Sequence, residues 1–390
     1  MIEQLLRAEV QSYIRANVKA DVSALALAGN PFPEIPHSRL LDQISGLKKA
    51  SEKLPRWHDT EGIVYPSRIS MEQASSQHTA LYKSGLVSGH SLIDLTGGFG
   101  VDDTFFAKSF DKVVHCELNG ELSGIVSHNN RVLKIDNVEC LHIDGLQALG
   151  SREHWDCIYV DPSRRNEHKG KVFLLSDCAP DVPALLPQLQ SRSNRILVKA
   201  SPILDISAAV NQLRNVAHVH IVALDHEVRE ILFDICPDSQ SYLITTVNLG
   251  TGQKSWSFNP FDDIISPLSQ PLAFLYEPNA AIMKSGGFGA LARDFGIAKL
   301  HRHSHLYTSD EVIEFPGRAF RIEKVVPFSK QGQRELSALK KANVAVRNFP
   351  LSVAELRSRL KLADGGDHYC FFTTGPHDQK IVLICSKIGR

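Results

Sequence analysis

The chain has 390 residues, 43 Lys+Arg against 43 Asp+Glu, and 43% hydrophobic residues, enough for two or three domains with cores of their own. Its seven cysteines are scattered, with no C-x-x-C and no Cys/His spacing suited to zinc, which excludes a disulfide framework and a zinc module. No apolar run approaches the length of about 18 that spans a bilayer, and the first residues lack the charged-then-apolar pattern of a signal peptide. The composition therefore describes a cytoplasmic protein that binds no membrane.

Residues 1–84 read as a helical N-terminal domain. Ile2, Leu5, Leu6, Val10, Tyr13 and Ile14 recur at three- and four-residue steps, one apolar helix face. Pro31, Pro33 and Pro36 mark a loop, and Leu40, Leu41, Ile44 and Leu47 start another helix. Ser70-Met-Glu-Gln73 has the spacing of a capping box and predicts a helix running to about Ser84, which delivers Gln73, Ser75, Ser76 and Thr79 just ahead of the next motif.

From about 85 to 250, strands alternate with helices, the pattern of a doubly wound α/β sheet. Strands are predicted near 91–94, 112–116, 138–143, 156–160 and 195–199, with His218 to Leu224 as a sixth. Val228–Ile235 and Tyr242–Val247 flank Pro237-Asp-Ser-Gln240 and read as an antiparallel hairpin at the sheet edge. The first strand leads into Asp94-Leu-Thr-Gly-Gly-Phe-Gly-Val-Asp102, a glycine turn opening a helix. Such a junction lets a ligand approach bare backbone amides. Two ligands compete for it, a dinucleotide and S-adenosylmethionine (SAM).

A dinucleotide site asks for G-x-G-x-x-G facing a pyrophosphate, whereas here Asp103 stands where the third glycine belongs. Asp94, at the strand's end, repels pyrophosphate and attracts the ammonium and sulfonium of SAM. The second strand ends at Glu117, placed for both ribose hydroxyls, and the third at Asp144-Gly145, placed for the adenine amine. Asp102, Asp103 or Glu117 singly is an ordinary helix-start or strand-end acid. Three acids ending successive strands, 23 and 27 residues apart, favour SAM. The candidate cofactor contacts are Asp94, Thr96, Gly98, Gly100, Asp102, Glu117, Asp144 and Gly145.

The fourth strand, Trp155-Asp-Cys-Ile-Tyr-Val160, is nearly continuous apolar, as a strand buried on both faces should be, and runs into Asp161-Pro-Ser-Arg-Arg165. Ligands of open α/β sheets lie outside the carboxyl ends of the strands, which turns Asp161 toward the methyl donor and makes it a further candidate cofactor contact. Lys199 ends the fifth strand and points to the same crevice, either for a substrate phosphate or to pair with Asp161.

Taken together, Ser70–Ser76, the Asp94–Asp102 turn, Asp161–Arg165, Val198-Lys-Ala-Ser-Pro202 and Arg347-Asn-Phe-Pro350 resemble the class I SAM-dependent methyltransferases. More narrowly, they resemble a bacterial family of RNA methyltransferase type with a THUMP-like C-terminal domain. The resemblance spans nearly the whole chain. It implies a Rossmann-like doubly wound sheet with a helical N-terminal domain and a small α+β C-terminal domain. It further implies contact of Gln73 and Ser76 with the methionine end of SAM.

After Gly250-Thr-Gly252, a polar, proline-bearing passage through Pro271 reads as a linker or covering loop, and 272–320 as a small mixed α/β module in which Leu291–Gly296 is a helix ended by glycine. Residues 321–390, the THUMP-like segment, read strand Ile322–Phe328, helix Gln331–Lys341, strand Val344–Asn348, helix Ser352–Leu360, a turn at Asp364–Asp367 and two short strands. Residues 281–390 hold 18 Lys+Arg against 10 Asp+Glu, so the basic excess lies at this end and marks it for RNA contact. Its densest cluster is Lys340, Lys341, Arg347, Arg357, Arg359 and Lys361, with Phe349 between.

Methyl transfer is an in-line displacement that asks mainly for alignment and sometimes a base. Amine methyltransferases use Asp or Asn, two prolines and a stacking aromatic. Here Asp161 and Pro162 keep the first half, Ser163 replaces the second proline and Arg164 the aromatic. Asp161, Pro162, Arg164 and Lys199 are the catalytic candidates, with Arg164 stacking on a base or gripping a phosphate. Arg164 and Arg165 alternatively brace the loop. A covalent route would need a thiolate, and Cys178 is the nearest cysteine, favoured as a plain buried residue. His115, His142 and the trio His301, His303, His305 lack a completing carboxylate or cysteine and read as solvated strand faces, with no metal. The function expected is SAM-dependent methylation of a base in structured RNA. The alternatives are a SAM- or RNA-binding protein without transfer, and a small-molecule methyltransferase.

Overall fold

A computed structural model describes residues 1–164 and 174–389, without the Arg164 side chain. The chain forms two compact units, Met1–Ala217 with Ile231–Ser241, and His218–Glu230 with Tyr242–Arg390.

The first unit begins with short helices. The apolar stripe of the first 14 residues lies on two helices, Ile2–Leu5 and Ala8–Ala16, burying Leu5, Val10 and Ile14. The predicted cap at Ser70 is displaced. Ser67 accepts the Ser70 amide and opens a helix Arg68–Gln73, extended backbone at Ala74 stops it, and Ser76 with Thr79 forms the capping box of Gln77–Ser84. A serine following Pro66 wins the first cap, so the single helix becomes two.

The strands follow as β1 (Gly89–Asp94), β2 (Phe110–Glu117), β3 (Val138–His142), β4 (Cys157–Val160), β5 (Ser163–Arg164), β6 (Cys178–Ala179), β7 (Ile196–Ala200), β8 (Val216–Leu224) and β9 (Glu227–Ile235). Within the first unit the order is β9-β7-β4-β1-β2-β3, with β3, β2, β1, β4 and β7 parallel and the end of β9 antiparallel to β7. Every residue of β4 is buried, which accounts for its unbroken apolar sequence. Parallel register sets Asp94 between His115 and Tyr159, and Glu117 beside His142, so the carboxyl ends share one edge.

The N-terminal helices have no core of their own. Leu5, Ile14, Ile44 and Trp57 join Phe99, Phe105, Ile125 and Leu133 in one cluster, and Trp57 stacks on Phe105 at 6.2 Å between centroids. This cluster includes residues from both sides of the boundary expected at 84/85.

In the second unit β8 turns into β9 through Asp225 and His226, both at positive φ. β10 (Leu243–Leu249) runs parallel to β8, and β11 (Trp256–Phe258) antiparallel to β10. The expected hairpin of β9 with β10 is therefore corrected: β8 supplies the partner of each, because two adjacent left-handed residues close a tighter turn than Pro237–Gln240. The passage read as a linker contains β11, whose Trp256 and Phe258 stack 4.6 Å apart.

Next come β12 (Phe274–Pro278), β13 (Ala298–Lys299), β14 (Tyr307–Ser309), β15 (Gly317–Pro327), β16 (Asn343–Val346), β17 (His368–Thr374) and β18 (Lys380–Lys387), in the sheet order β13-β14-β12-β15-β18-β17-β16 among the described residues. The boundary expected at 320/321 falls inside β15, and Leu275, Leu306, Phe320, Phe371 and Leu383 form one core across it. His301, His303 and His305 lie outside any strand: His301 is buried, and the His305 ring stacks on Phe288 at 3.7 Å. Among the described residues no helix is long and apolar enough to cross a membrane.

Trp57 is 1% exposed, and cutting it to alanine should cost about 3 to 5 kcal/mol. Because its cluster joins the helices to the sheet, thermal unfolding followed by circular dichroism should shift the sheet's transition. A shift confined to a separate helical transition would contradict the shared core.

Candidate functional site

The glycine turn is fixed by its neighbours on both sides. Leu95 N–H donates to Tyr159 O of β4 at 3.1 Å and Gly97 N–H to Cys116 O of β2 at 2.9 Å. A methyl group on Gly97 would collide with the His115 ring, and one on Gly145 would stand 2.5 Å from Leu95 O, so both positions require glycine. Gly98 and Gly100 take φ of 57° and 67°.

The strand-tip carboxylates surround this turn. Asp94 Oδ1 accepts from Thr96 N at 2.7 Å and Thr96 Oγ1 at 3.1 Å, while Thr96 Oγ1 accepts from Asp161 N at 2.7 Å, tying the tip of β1 to that of β4. Glu117 Oε2 accepts from Gly98 N at 3.0 Å, and its Oε1 from Asn119 N at 2.7 Å. Asp144 caps the helix Gly145–Leu149 through Leu146 N at 2.8 Å. Leu118, next to Glu117 beyond the carboxyl end of β2, is an apolar side chain that is 71% exposed.

Asp102 faces inward. Its Oδ2 accepts from Ser75 Oγ and Tyr159 OH, both at 2.8 Å, and its Oδ1 lies 3.2 Å from Nζ of Lys83, a fully buried lysine that also donates to Ser75 Oγ. Burial alone would raise the Asp102 carboxyl, but Lys83 and Lys199, with the two hydroxyls, outweigh it and hold the group below its ordinary value. Asp103, also buried, lies 2.6 Å from His115 Nδ1. Burial and the charge on Asp102 push the Asp103 carboxyl well up, and burial pushes His115 down. Asp94 is likewise raised by burial and then by Asp103. Ser75, Lys83, Tyr159, His115 and Asp103 thus make the turn's foundation, although Lys83 and Tyr159 carry no sequence signal beyond a polar residue in a buried stretch.

At the tip of β4, Lys199 Nζ forms a short ion pair with Asp161 Oδ2, the pairing weighed from sequence. Ser163 and Arg164 pair through their backbones with Ala179 and Cys178. Cys178 is buried, as a structural cysteine would be. The Arg164 side chain and Arg165 lie outside the described residues. Gln73 is exposed at its helix end, and the Ser76 hydroxyl is engaged in its cap. Among the described residues no group of three His, Cys, Asp or Glu could hold a metal.

The residues fit SAM on the glycine turn's geometry and acceptor set: a turn that excludes side chains, and carboxylates at three adjacent strand tips. In the second unit the basic cluster divides. Lys340, Lys341, Arg357 and Lys361 gather about the 361–366 turn, where Arg357 pairs with Asp364, while Arg347 pairs with Glu277.

Residues 274–316 match a ferredoxin-like domain profile and residues 317–387 a THUMP domain-like profile. Among solved structures, the crystal structure of a "putative methyltransferase" from Porphyromonas gingivalis W83 is 31% identical, over 99% of each chain, with a TM-score of 0.89. An rRNA methylase from Streptococcus thermophilus aligns over 40% of this chain and 92% of its own at 18% identity and TM-score 0.30. The T. thermophilus 16S rRNA N2 G1207 methyltransferase, in complex with AdoMet and guanosine, aligns over 45% of each chain at 14% identity and TM-score 0.30. Neither of these two bears weight at such scores. No curated protein matches the chain significantly. The end-to-end likeness to the first structure, together with the C-terminal profile, settles the relationship: the chain belongs to the family of class I SAM-dependent methyltransferases with a THUMP-like C-terminal domain.

Proposed function

We propose that the protein transfers a methyl group from SAM to a base of structured RNA, ribosomal or transfer. The observation that carries this reading is the row of carboxylates at the tips of β1, β2 and β3 around a side-chain-free turn, with Asp161 at the tip of β4. The RNA half rests on the THUMP-like match and on the basic excess of residues 281–390.

In this reading Asp94 holds the methionine end beside the side-chain-free turn, Glu117 the ribose hydroxyls, and Asp144 with Gly145 the adenine. Bound there, SAM supplies an electrophilic methyl group on a sulfonium. Asp161 accepts a hydrogen bond from the acceptor amine and aims its lone pair, and Lys199 and Thr96 fix Asp161 for that task. Pro162 stiffens the loop and Arg164 contacts the base or a phosphate. Asp102 serves by anchoring Ser75 and Tyr159 on Lys83, so its part in cofactor binding is indirect.

Labelled SAM given to the full chain with RNA from cells lacking the protein should label that RNA. Asp161→Ala should lower the incorporation by about 100-fold or more while SAM affinity changes far less. Binding of both ligands with no labelled RNA would leave a binding protein instead. Labelling that survives deletion of residues 281–390 would contradict the RNA role of that segment.

Glu117→Ala should weaken SAM by roughly tenfold in calorimetry, the loss of one charge-assisted hydrogen bond. Asp94→Asn separates binding from stability. A carboxyl raised in the folded state favours its protonated form, so native Asp94 subtracts stability as pH rises above the unfolded carboxylate range. The asparagine variant should therefore melt higher than wild type at about pH 8, with the difference closing toward about pH 4, yet bind SAM more weakly. A lower melting point at both pH values would show that the Asp94 charge stabilises the fold.

A further inference from the structure

The Arg347-Asn-Phe-Pro350 segment has no role in the transfer step proposed above, and its residues make separate contacts. Phe349 packs edge-on against Phe328 and Phe372, 5.0 and 5.6 Å between centroids, and lies partly buried against the core. Asn348, at φ 54°, donates to His301 Nδ1 at 3.0 Å. Arg347 donates to Val346 O at 2.7 Å and forms a short ion pair with Glu277 Oε1.

Glu277 Oε2 receives a second arginine, Arg318, through Nε at 2.7 Å and through a short contact from its terminal nitrogen. The arrangement is built into the sheet. Arg318 stands opposite Glu277 in the β12–β15 register, and a side chain at the preceding Gly317 would run into the Glu277 carbonyl. The Arg318 guanidinium also lies 5.5 Å over the Phe320 ring. The carboxylate side chain is 7% exposed, whereas Arg318 and Arg347 are 43% and 39% exposed.

One buried carboxylate offsets one of the two guanidinium charges, which leaves the group cationic where it meets solvent. The hydrogen bonds to Glu277 and Val346 do not use up the donors of either arginine, since each guanidinium has five. Two arginines fixed side by side lose little freedom when an anion arrives, and their forks match phosphate oxygens.

We propose that Arg318 and Arg347, held on Glu277, clamp a phosphate of the RNA backbone. The proposal rests on the RNA reading above and names a contact lying apart from the Lys340–Lys361 cluster. The test uses the full chain and two fluorescent probes, a transfer RNA transcript and a 16S ribosomal RNA transcript, titrated at about 50 to 300 mM KCl. Arg318→Gln and Arg347→Gln, each of which leaves Glu277 one arginine, should weaken binding about fivefold at about 100 mM KCl and lower the log–log salt slope by about 0.7 to 0.9. Arg318→Lys, which keeps the charge, should restore the slope.

If either glutamine variant melts early, the triple variant Glu277→Gln, Arg318→Gln, Arg347→Gln, with no stranded carboxylate, should show the same loss of affinity. Wild-type binding to a probe with unchanged affinity and slope in the folded variants overturns the clamp and leaves the RNA reading standing. A wild-type chain that binds neither transcript overturns both.

Discussion

A lysine ammonium sealed beneath the glycine turn is the constraint on which the site depends. Lys83 is fully buried, and so it requires a charged partner, which Asp102 provides at 3.2 Å. That pairing commits Asp102, with Ser75 and Tyr159 on its other oxygen, to the interior. The helix after the turn is thereby pinned to the helix Gln77–Ser84 and to β4 at once. With Asp102 and Asp103 committed to the interior, Asp94, itself 2% exposed, Glu117 and Asp144 end the three neighbouring strands, one per strand. The turn's backbone, freed of side chains by Gly97 and Gly98, lies among them.

The parallel register converts this local arrangement into a row. Hydrogen bonds from Leu95 to β4 and from Gly97 to β2 hold three strand ends level, and Thr96 extends the line to Asp161. The chemistry proposed at Asp161 depends on that line, because methyl transfer requires donor and acceptor to be aligned. The Lys199 pairing adds a fixed direction to the Asp161 carboxylate.

Much of this was legible in the residues. Strands buried on both faces announce themselves as apolar runs, and an acid directly after such a run marks a tip, so Asp94, Glu117 and Asp161 could be placed without coordinates, whereas Asp144 follows β3, which has no buried residue. The role of Asp102 could not, because it depends on Lys83 and Tyr159, which lie 19 residues before and 57 after it. Helix starts were misplaced where two serines competed, Ser67 prevailing over Ser70. The β9 partner was misjudged because two left-handed residues, Asp225 and His226, look like ordinary polar ones in a sequence. In the second unit the elements were readable, but the pairings between them were not: β15 runs across residue 320 and carries Arg318 to Glu277, a pairing 41 residues apart.

The central claim is that this edge prefers a cationic methyl donor to a pyrophosphate coenzyme. Calorimetric titration of the wild-type chain with SAM and, in parallel, with NAD tests it most directly. The account predicts saturable heat with SAM and none with NAD at the same concentrations. Saturation by NAD with no response to SAM would contradict it.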